Sequence, residues 1–134
     1  MYVKIGKYNK KGERKVIVKI DKEDTWGAYL TLAHIIHPLL IELKKTKHGV
    51  PFTDDEDVPE GQNLRSTEAP PIKHTWDTDD NFFKRWDWIM DEIIWTFDQI
   101  LKDDVYHDVE SKEDYERVTN GLKLFGKYYV CLWD

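Results

Sequence analysis

Cysteine is nearly absent from this chain of 134 residues, in which Cys131 is the only one. A single cysteine excludes an intrachain disulfide and a zinc site built from several cysteines. Long apolar runs are missing too, and no segment approaches the roughly 20 residues that a membrane-spanning helix requires. The N-terminus lacks the apolar stretch of a secretory signal peptide. We therefore expect a cytoplasmic protein with no membrane partner.

The sequence motifs of common enzyme classes are missing as well. There is no glycine-rich phosphate loop, no Gly-x-Ser-x-Gly elbow and no His-Glu-x-x-His zinc motif. Cys131 would need a nearby base and electropositive surroundings to act as a nucleophile, but aromatic residues flank it. We expect this thiol to be buried and inert and no cofactor to be required, and a binding protein is favoured over an enzyme.

Charge is plentiful but unevenly distributed. Apolar residues make up 40% and charged residues 34% of the chain, which is typical of one soluble globular domain over residues 1–134. Residues 1–48 contain 11 Lys and Arg against 5 Asp and Glu, and the remainder contains 9 against 21. Opposite charges of this kind attract each other within a fold or between subunits. The net charge of -6 argues against broad nucleic-acid binding.

Hydrophobic periodicity predicts a mainly helical α+β fold. Alternating β-branched residues around Val18 and a turn ending at Gly12 predict a β-hairpin within residues 1–22. Apolar residues repeat at helical spacing in three segments of the remaining chain, residues 23–134, and predict a helical core. These segments span residues 25–47, 80–102 and 111–133. We expect the hairpin to pack on the three helices.

The ends and interiors of these helices carry further signals. The candidate N-caps are Asp24 or Thr25 for the first helix, Asp79 or Asp80 for the second, and Ser111 with Asp114 for the third. In the third helix, Gly121 and Gly126 lower the helix propensity but permit close contact with another helix.

Residues 49–79 form a long loop without helical or strand periodicity. The loop has four of the five prolines and an acidic run, Asp54–Asp57. Loops of this length inside a domain are usually functional or disordered. Apolar residues punctuate this one, so we expect it to be ordered and anchored on the helices, with Trp76 as the largest anchor. The candidate anchors are Phe52, Val58, Leu64, Ile72 and Trp76.

Basic and aromatic residues cluster where the loop meets the second helix. A helix N-terminus favours negative charge, so an anion at this junction would meet donors from both the loop and the helix. Stacking on an aromatic ring combined with positive charge suits a phosphate-bearing ligand. The predicted ligand site consists of Arg65, Lys73, His74, Trp76, Lys84 and Arg85.

Two tryptophans on the second helix lie off its main apolar stripe, which consists of Phe82, Trp86, Ile89, Ile93, Phe97 and Ile100. Trp88 and Trp95 are seven residues apart and share the otherwise charged side of the helix. Large aromatics on a polar face mark an interface, although the loop or the hairpin covering them is an equal alternative. We predict a contact between subunits or with a partner at Trp88 and Trp95.

The sequence supports a metal site less strongly than it supports the ligand site or the interface. His34 and His37 are three residues apart on the first helix, so both can face one ligand, but local spacing fixes no third ligand. The series Asp77, Asp79 and Asn81 begins like a calcium loop and then lacks the required glycine and glutamate. No metal site is therefore predicted.

Several short stretches together resemble a known protein family. They are Lys47-His48-Gly49, Asp54-Asp55-Glu56-Asp57-Val58-Pro59, Leu64-Arg65-Ser66-Thr67, Trp76-Asp77-Thr78-Asp79-Asp80-Asn81, Phe83-Lys84-Arg85-Trp86-Asp87-Trp88 and Leu124-Phe125-Gly126-Lys127-Tyr128-Tyr129. Through them, residues 24–134 resemble a family of small uncharacterised proteins encoded by tailed bacteriophages. The resemblance does not extend to the hairpin. It implies a location in the cytoplasm of the infected bacterium or in the virion, and it implies no catalytic residue.

Three functions follow in order of preference. The first is a phage accessory protein that binds a host small molecule or host protein. A phosphate-bearing nucleotide or signal molecule is the favoured ligand, which an antagonist of host defence would sequester. The second is a homo-oligomeric interaction protein or minor virion component that uses Trp88 and Trp95. The third is a metal-dependent hydrolase that uses His34, His37 and the acids of the loop.

Overall fold

The computed structural model describes residues 1–102 and 112–134 and contains two strands followed by three helices. The mainly helical α+β fold predicted from the sequence is confirmed. The strands form one antiparallel sheet, and the predicted cap at Ser111 lies outside the described residues. The elements are β1 (Tyr2–Ile5), β2 (Val16–Lys19), α1 (Ala28–Thr46), α2 (Phe82–Lys102) and α3 (Lys112–Tyr128).

The hairpin forms where the sequence predicts it, but it does not pack on the helices. Its turn is held by the Asn9 carboxamide oxygen, which accepts the backbone N–H groups of Lys11 and Glu13, and Gly12 adopts the left-handed conformation that the turn requires. Most of the apolar side chains in the strands are exposed, and none belongs to the described hydrophobic core. The expectation that the hairpin packs on the helices is therefore wrong.

The start of α1 also differs from the expectation. Neither Asp24 nor Thr25 caps this helix, which begins after Gly27. The Asp24 carboxylate instead lies 2.8 Å from the N-terminal ammonium of Met1 and accepts the backbone N–H of Asp21. This partner was not apparent from local sequence, because Met1 is distant along the chain and only the pairing of β1 with β2 brings it beside Asp24. The helix then continues through Pro38 to Thr46.

Helix α2 forms the centre of the core. Its predicted apolar stripe is buried, and Trp86, Ile89 and Ile93 are each at most 2% exposed. Helix α3 approaches closely at Gly121, where an added Cβ atom would lie 1.8 Å from the Thr96 hydroxyl oxygen. Gly121 therefore permits the close helix contact that the sequence predicts. Burial of these side chains removes apolar surface from water, and the rest of the helical body therefore packs on α2.

The C-terminus closes over the start of the loop. Helix α3 ends at Tyr128 and a 3₁₀ turn follows at Tyr129–Cys131, so the expected continuation of the helix to residue 133 is wrong. The Trp133 ring packs so closely on Gly49 that an added Cβ atom would lie 2.2 Å from it. This contact brings the C-terminal segment against the loop.

Candidate functional site

The loop of residues 49–79 is held on the helices mainly by polar contacts, with Arg85 at their centre. Arg85 is 3% exposed, and its guanidinium donates to both Asp79 carboxylate oxygens at 2.9 Å. It also donates to the Leu64 carbonyl at 3.1 Å and to the Thr53 hydroxyl at 3.3 Å. These hydrogen bonds raise the pKa of Arg85 and lower that of Asp79. One buried cation thus joins three parts of the loop to α2.

A second polar contact fixes the acidic run Asp54–Asp57. Lys127 of α3 lies 2.7 Å from Asp54 and 2.6 Å from Asp57, and these partners raise its pKa. The Tyr128 hydroxyl accepts the Asp54 backbone N–H at 3.0 Å and donates to the Asp57 carboxylate. Burial and the Asp57 hydrogen bond raise the pKa of Tyr128 to about 12. The acidic run is therefore partly neutralised by α3.

Among the predicted apolar anchors, Val58 is confirmed but Trp76 is not. Val58 is 2% exposed and belongs to the core, and Leu64 packs against it. Trp76 is 78% exposed, and its ring stacks on that of its close neighbour His74 with the centroids 4.5 Å apart. The expectation that Trp76 is the main anchor is wrong, and the polar contacts of Arg85 and Tyr128 take its place.

A cavity of about 360 Å³ lies between the loop and the start of α2. We call it the aromatic pocket, and its lining residues are Phe52, Ser66, Pro70, Ile72, Asp77, Thr78, Asp79, Phe82 and Arg85. The Phe52 ring lies at the rim and is 86% exposed. It contacts the Phe82 ring edge-on, with the ring centroids 5.4 Å apart. Phe83 extends this aromatic group on the outside. The pocket thus combines exposed apolar walls with charged groups.

The charged groups near the aromatic pocket are mostly carboxylates. Its lining includes Asp77, Asp79 and Arg85, of which Arg85 and Asp79 form an ion pair with each other. An adjoining cavity of about 390 Å³ shares part of this lining and adds Lys73 and Asp80. Lys73 is thus one cation beside several carboxylates. The local field therefore favours a cation or a hydrogen-bond donor over an anion.

The six predicted ligand residues lie in different surroundings, and the ligand site that they would form stays a prediction. Arg85 lies in the base of the aromatic pocket with its donors already engaged, and Lys73 lies in the adjoining cavity. Arg65 lines a third cavity with Asp54, Asp55 and Glu56, and its guanidinium donates to the Val58 carbonyl. The remaining three, His74, Trp76 and Lys84, are exposed.

Trp88 and Trp95 lie half-buried at the edge of the core. The Arg117 guanidinium of α3 stacks 3.6 Å above the Trp95 ring and donates to the Glu92 carboxylate at 2.6 and 3.0 Å. Helix α3, rather than the loop or the hairpin, therefore covers Trp95. The predicted interface at these tryptophans stays a prediction.

The two histidines of α1 lie apart from the aromatic pocket. His34 is exposed, and the nearest charged partner of His37 is Asp98 of α2 at 3.9 Å. Within residues 1–102 and 112–134, no three His, Cys, Asp or Glu side chains are grouped to hold a metal ion. Cys131 packs partly buried against the core. The hydrolase hypothesis gains no assembled ligand set from the described residues.

Sequence reasoning missed the aromatic pocket, although Phe52 was a signal for it. A phenylalanine between a proline and a run of acids suggests an anchor, and only the fold places it on a rim beside Phe82. No protein-family model, curated protein or solved structure matches the chain. Among the helices of the described ranges, none combines the length and apolarity needed to cross a bilayer.

Proposed function

We propose that this chain is an accessory binding protein of a tailed bacteriophage that docks a polypeptide of the host in the aromatic pocket. The partner presents an arginine or lysine side chain flanked by apolar residues. The observation that carries this proposal is the combination of one exposed aromatic ring, Phe52, and the exposed Ile72 with the carboxylates of Asp77 and Asp79 in the same lining. The phage origin rests on the resemblance of residues 24–134.

The apolar part of the proposed contact is unusually exposed for a loop. Phe52 is 86%, Phe83 56% and Ile72 49% exposed, and Phe52 and Ile72 line the same pocket. Contiguous exposed apolar side chains of this size mark binding surfaces more often than isolated ones do. Aromatic residues at the centre of a contact also contribute much of the binding energy between proteins.

The charged part selects the partner. Arg85 neutralises Asp79, so Asp77 in the aromatic pocket and Asp80 in the adjoining cavity keep the lining acidic. A guanidinium or ammonium group entering here would meet a carboxylate and the face of the Phe52 ring, and both interactions favour a cation. The buried Arg85 then has a positioning role, because it holds the Asp79 segment against α2.

A phosphate-bearing ligand is the second candidate, and one observation favours it. Trp76 and His74 stack parallel at 4.5 Å, and Lys73 precedes them in the chain. An exposed ring beside a cation suits a base and its phosphate. The nearby carboxylates Asp77 and Asp80 oppose an anion, however, so this candidate ranks below the basic polypeptide.

Selection from a library of random peptides displayed on an unrelated carrier tests the proposal. Panning on the immobilised protein is expected to enrich sequences in which an arginine or lysine lies beside an apolar residue. Binding of the enriched peptide is expected to fall by about tenfold in Phe52→Ser and in Asp77→Asn, as is usual for central contact residues. Asp77→Asn keeps an oxygen for the His74 backbone N–H, so the loop is not released.

Two matched variants control for exposure and charge. Val130→Ser removes an apolar side chain that is 83% exposed on the C-terminal turn, and Glu60→Gln removes an exposed carboxylate elsewhere in the loop. Both are expected to bind the peptide as the wild type does. Enrichment of acidic peptides, or equal losses in the controls, would contradict the proposal. If nucleotides compete with the peptide for the wild type but not for Trp76→Ala, the second candidate would be favoured.

A further inference from the structure

The hairpin carries a positive charge that the rest of the chain does not share. Residues 1–22 contain 8 Lys and Arg against 2 Asp and Glu, whereas residues 23–134 contain 12 against 24. The net charge of -6 therefore averages two parts of opposite sign. All eight basic side chains of the hairpin are exposed, and they are Lys4, Lys7, Lys10, Lys11, Arg14, Lys15, Lys19 and Lys22.

The register of the strands places three of these lysines on one face. Lys4 pairs with Ile17 across the antiparallel ladder, and Lys15 and Lys19 lie two residues to either side of Ile17. The ladder extends to Lys15, whose carbonyl accepts the Gly6 N–H at 2.8 Å. Paired residues, and residues two apart on a strand, project from the same face of a sheet. Lys4, Lys15 and Lys19 therefore form what we call the basic hairpin face.

The turn adds four more cations at the end of the hairpin. They are Lys7, Lys10, Lys11 and Arg14. The Arg14 guanidinium lies over the Tyr8 ring, 4.6 Å from its centroid, and the ring is 65% exposed. Glu13 is the one acid of the turn, and its carboxylate accepts a hydrogen bond from the Asn9 carboxamide at 3.3 Å. The turn therefore presents cations beside an exposed aromatic ring.

The basic side chains of the hairpin have no counter-ions within the described part of the chain. Among residues 1–102 and 112–134, none of the eight forms an ion pair with an acidic side chain, whereas Lys44 of α1 pairs with Asp91 of α2. Asp21, the second acid of the hairpin, lies 3.2 Å from the Met1 ammonium. Like charges without counter-ions repel one another, and binding to a polyanion relieves this repulsion.

We propose that the hairpin is an arm that binds the phosphate backbone of duplex DNA through the basic hairpin face and the turn. Basic side chains that neutralise phosphates release condensed counterions, which provides most of the affinity of sequence-independent binding. The major groove of a duplex also admits a two-stranded β-ribbon. The acidic remainder of the chain does not prevent this contact, because the hairpin spans roughly 25 Å and charges are screened over about 8 Å at physiological salt.

The geometry of the hairpin favours duplex DNA over other polyanions. An anionic membrane would take up the apolar face of the strands, and the lysines of the basic hairpin face would then point away from the headgroups. An extended acidic polypeptide carries at most one charge per roughly 3.3 Å, and a single nucleic-acid strand has a similar spacing. A duplex has one charge per roughly 1.7 Å of its axis and therefore attracts the arm most strongly.

Fluorescence anisotropy of a labelled duplex of about 20 base pairs, titrated with the full chain at several salt concentrations, tests this proposal. If about five cations contact phosphates, the affinity should fall roughly 500-fold between about 50 and 200 mM salt. Replacing the three lysines of the basic hairpin face by glutamine should weaken binding at least about tenfold at the lower salt concentration. It should also reduce the slope of log affinity against log salt by about three.

Two further variants separate lost charge from lost folding. The triple variant Lys4→Arg, Lys15→Arg and Lys19→Arg keeps the charge and should bind within about twofold of the wild type. The matched control replaces three exposed lysines outside the hairpin by glutamine and should also stay within about twofold. These lysines are Lys45, Lys102 and Lys123.

Several results would overturn the proposal. One is a wild type that does not bind the duplex at about 50 mM salt, or that binds it with no dependence on salt. Another is an equal loss of affinity in the control variant and in the glutamine variant of the basic hairpin face. Tighter binding to a single strand of the same length, to polyglutamate or to vesicles containing phosphatidylglycerol would also contradict duplex DNA as the partner.

Discussion

Replacing Arg85 by alanine should destabilise the protein severely. The change removes the bidentate partner of Asp79 at 2.9 Å and the donor to the Leu64 carbonyl at 3.1 Å. Breaking a buried ion pair by deleting one partner typically costs about 3–5 kcal/mol. The Asp79 side chain is 11% exposed, so water can reach it, and the lower end, about 3 kcal/mol, is expected. That is a large share of the roughly 5–15 kcal/mol that stabilises a typical domain.

Urea unfolding followed by tryptophan fluorescence and far-UV circular dichroism measures this loss. Lys102→Ala is the control, because its ion pair with Asp98 is exposed and should contribute only about 0–1 kcal/mol. The double variant Asp79→Asn with Arg85→Met should lose less free energy of unfolding than Arg85→Ala alone, since no buried charge is left without a partner. A free energy of unfolding for Arg85→Ala within about 1 kcal/mol of the wild type would refute the account of Arg85 as the central tie of the loop.

Three further outcomes are expected. Gly121→Ala should lower the free energy of unfolding in urea by about 1–3 kcal/mol, because the added Cβ atom meets Thr96. Gly126 has open space around it, so Gly126→Ala should raise that free energy by about 0.5–1 kcal/mol. Equal effects of the two variants would contradict the contact between Gly121 and Thr96. In a spectrophotometric titration, one tyrosine should ionise near pH 12, and Tyr128→Phe should abolish that step. The Arg85 hydrogen bonds lower the Asp79 pKa, so Asp79 stabilises the fold above pH about 4 and ceases to do so at lower pH; unfolding of Asp79→Asn should depend less steeply on acid.

The helices were predictable because their periodicity carries enough information. The stripe that includes Trp86, Ile89 and Ile93 is buried as predicted, since a helix with one apolar arc has one way to bury it. Packing of the hairpin was not predictable. Alternation shows that Val16 and Val18 share a face, but it does not show what covers that face.

The site was harder to predict, because residue type does not reveal a partner. Arg85 and Lys84 are equivalent as basic residues in the sequence, yet one is 3% exposed and the other is on the surface. The difference follows from Asp79, which lies six residues earlier and turns back onto Arg85. Trp76 is large enough to anchor the loop, but a neighbour, His74, provides its contact instead. Long-range and loop geometry decided both cases.

An NMR titration of ¹⁵N-labelled protein with an arginine-containing apolar peptide tests the proposed function most directly. Amide shifts should concentrate at Phe52, Ile72, Asp77 and the start of α2, and an otherwise identical peptide with glutamate in place of arginine should produce none. Shifts in Asp77→Asn should saturate only at higher peptide concentration. Equal shifts with both peptides, or shifts confined to residues outside the aromatic pocket, would contradict the account.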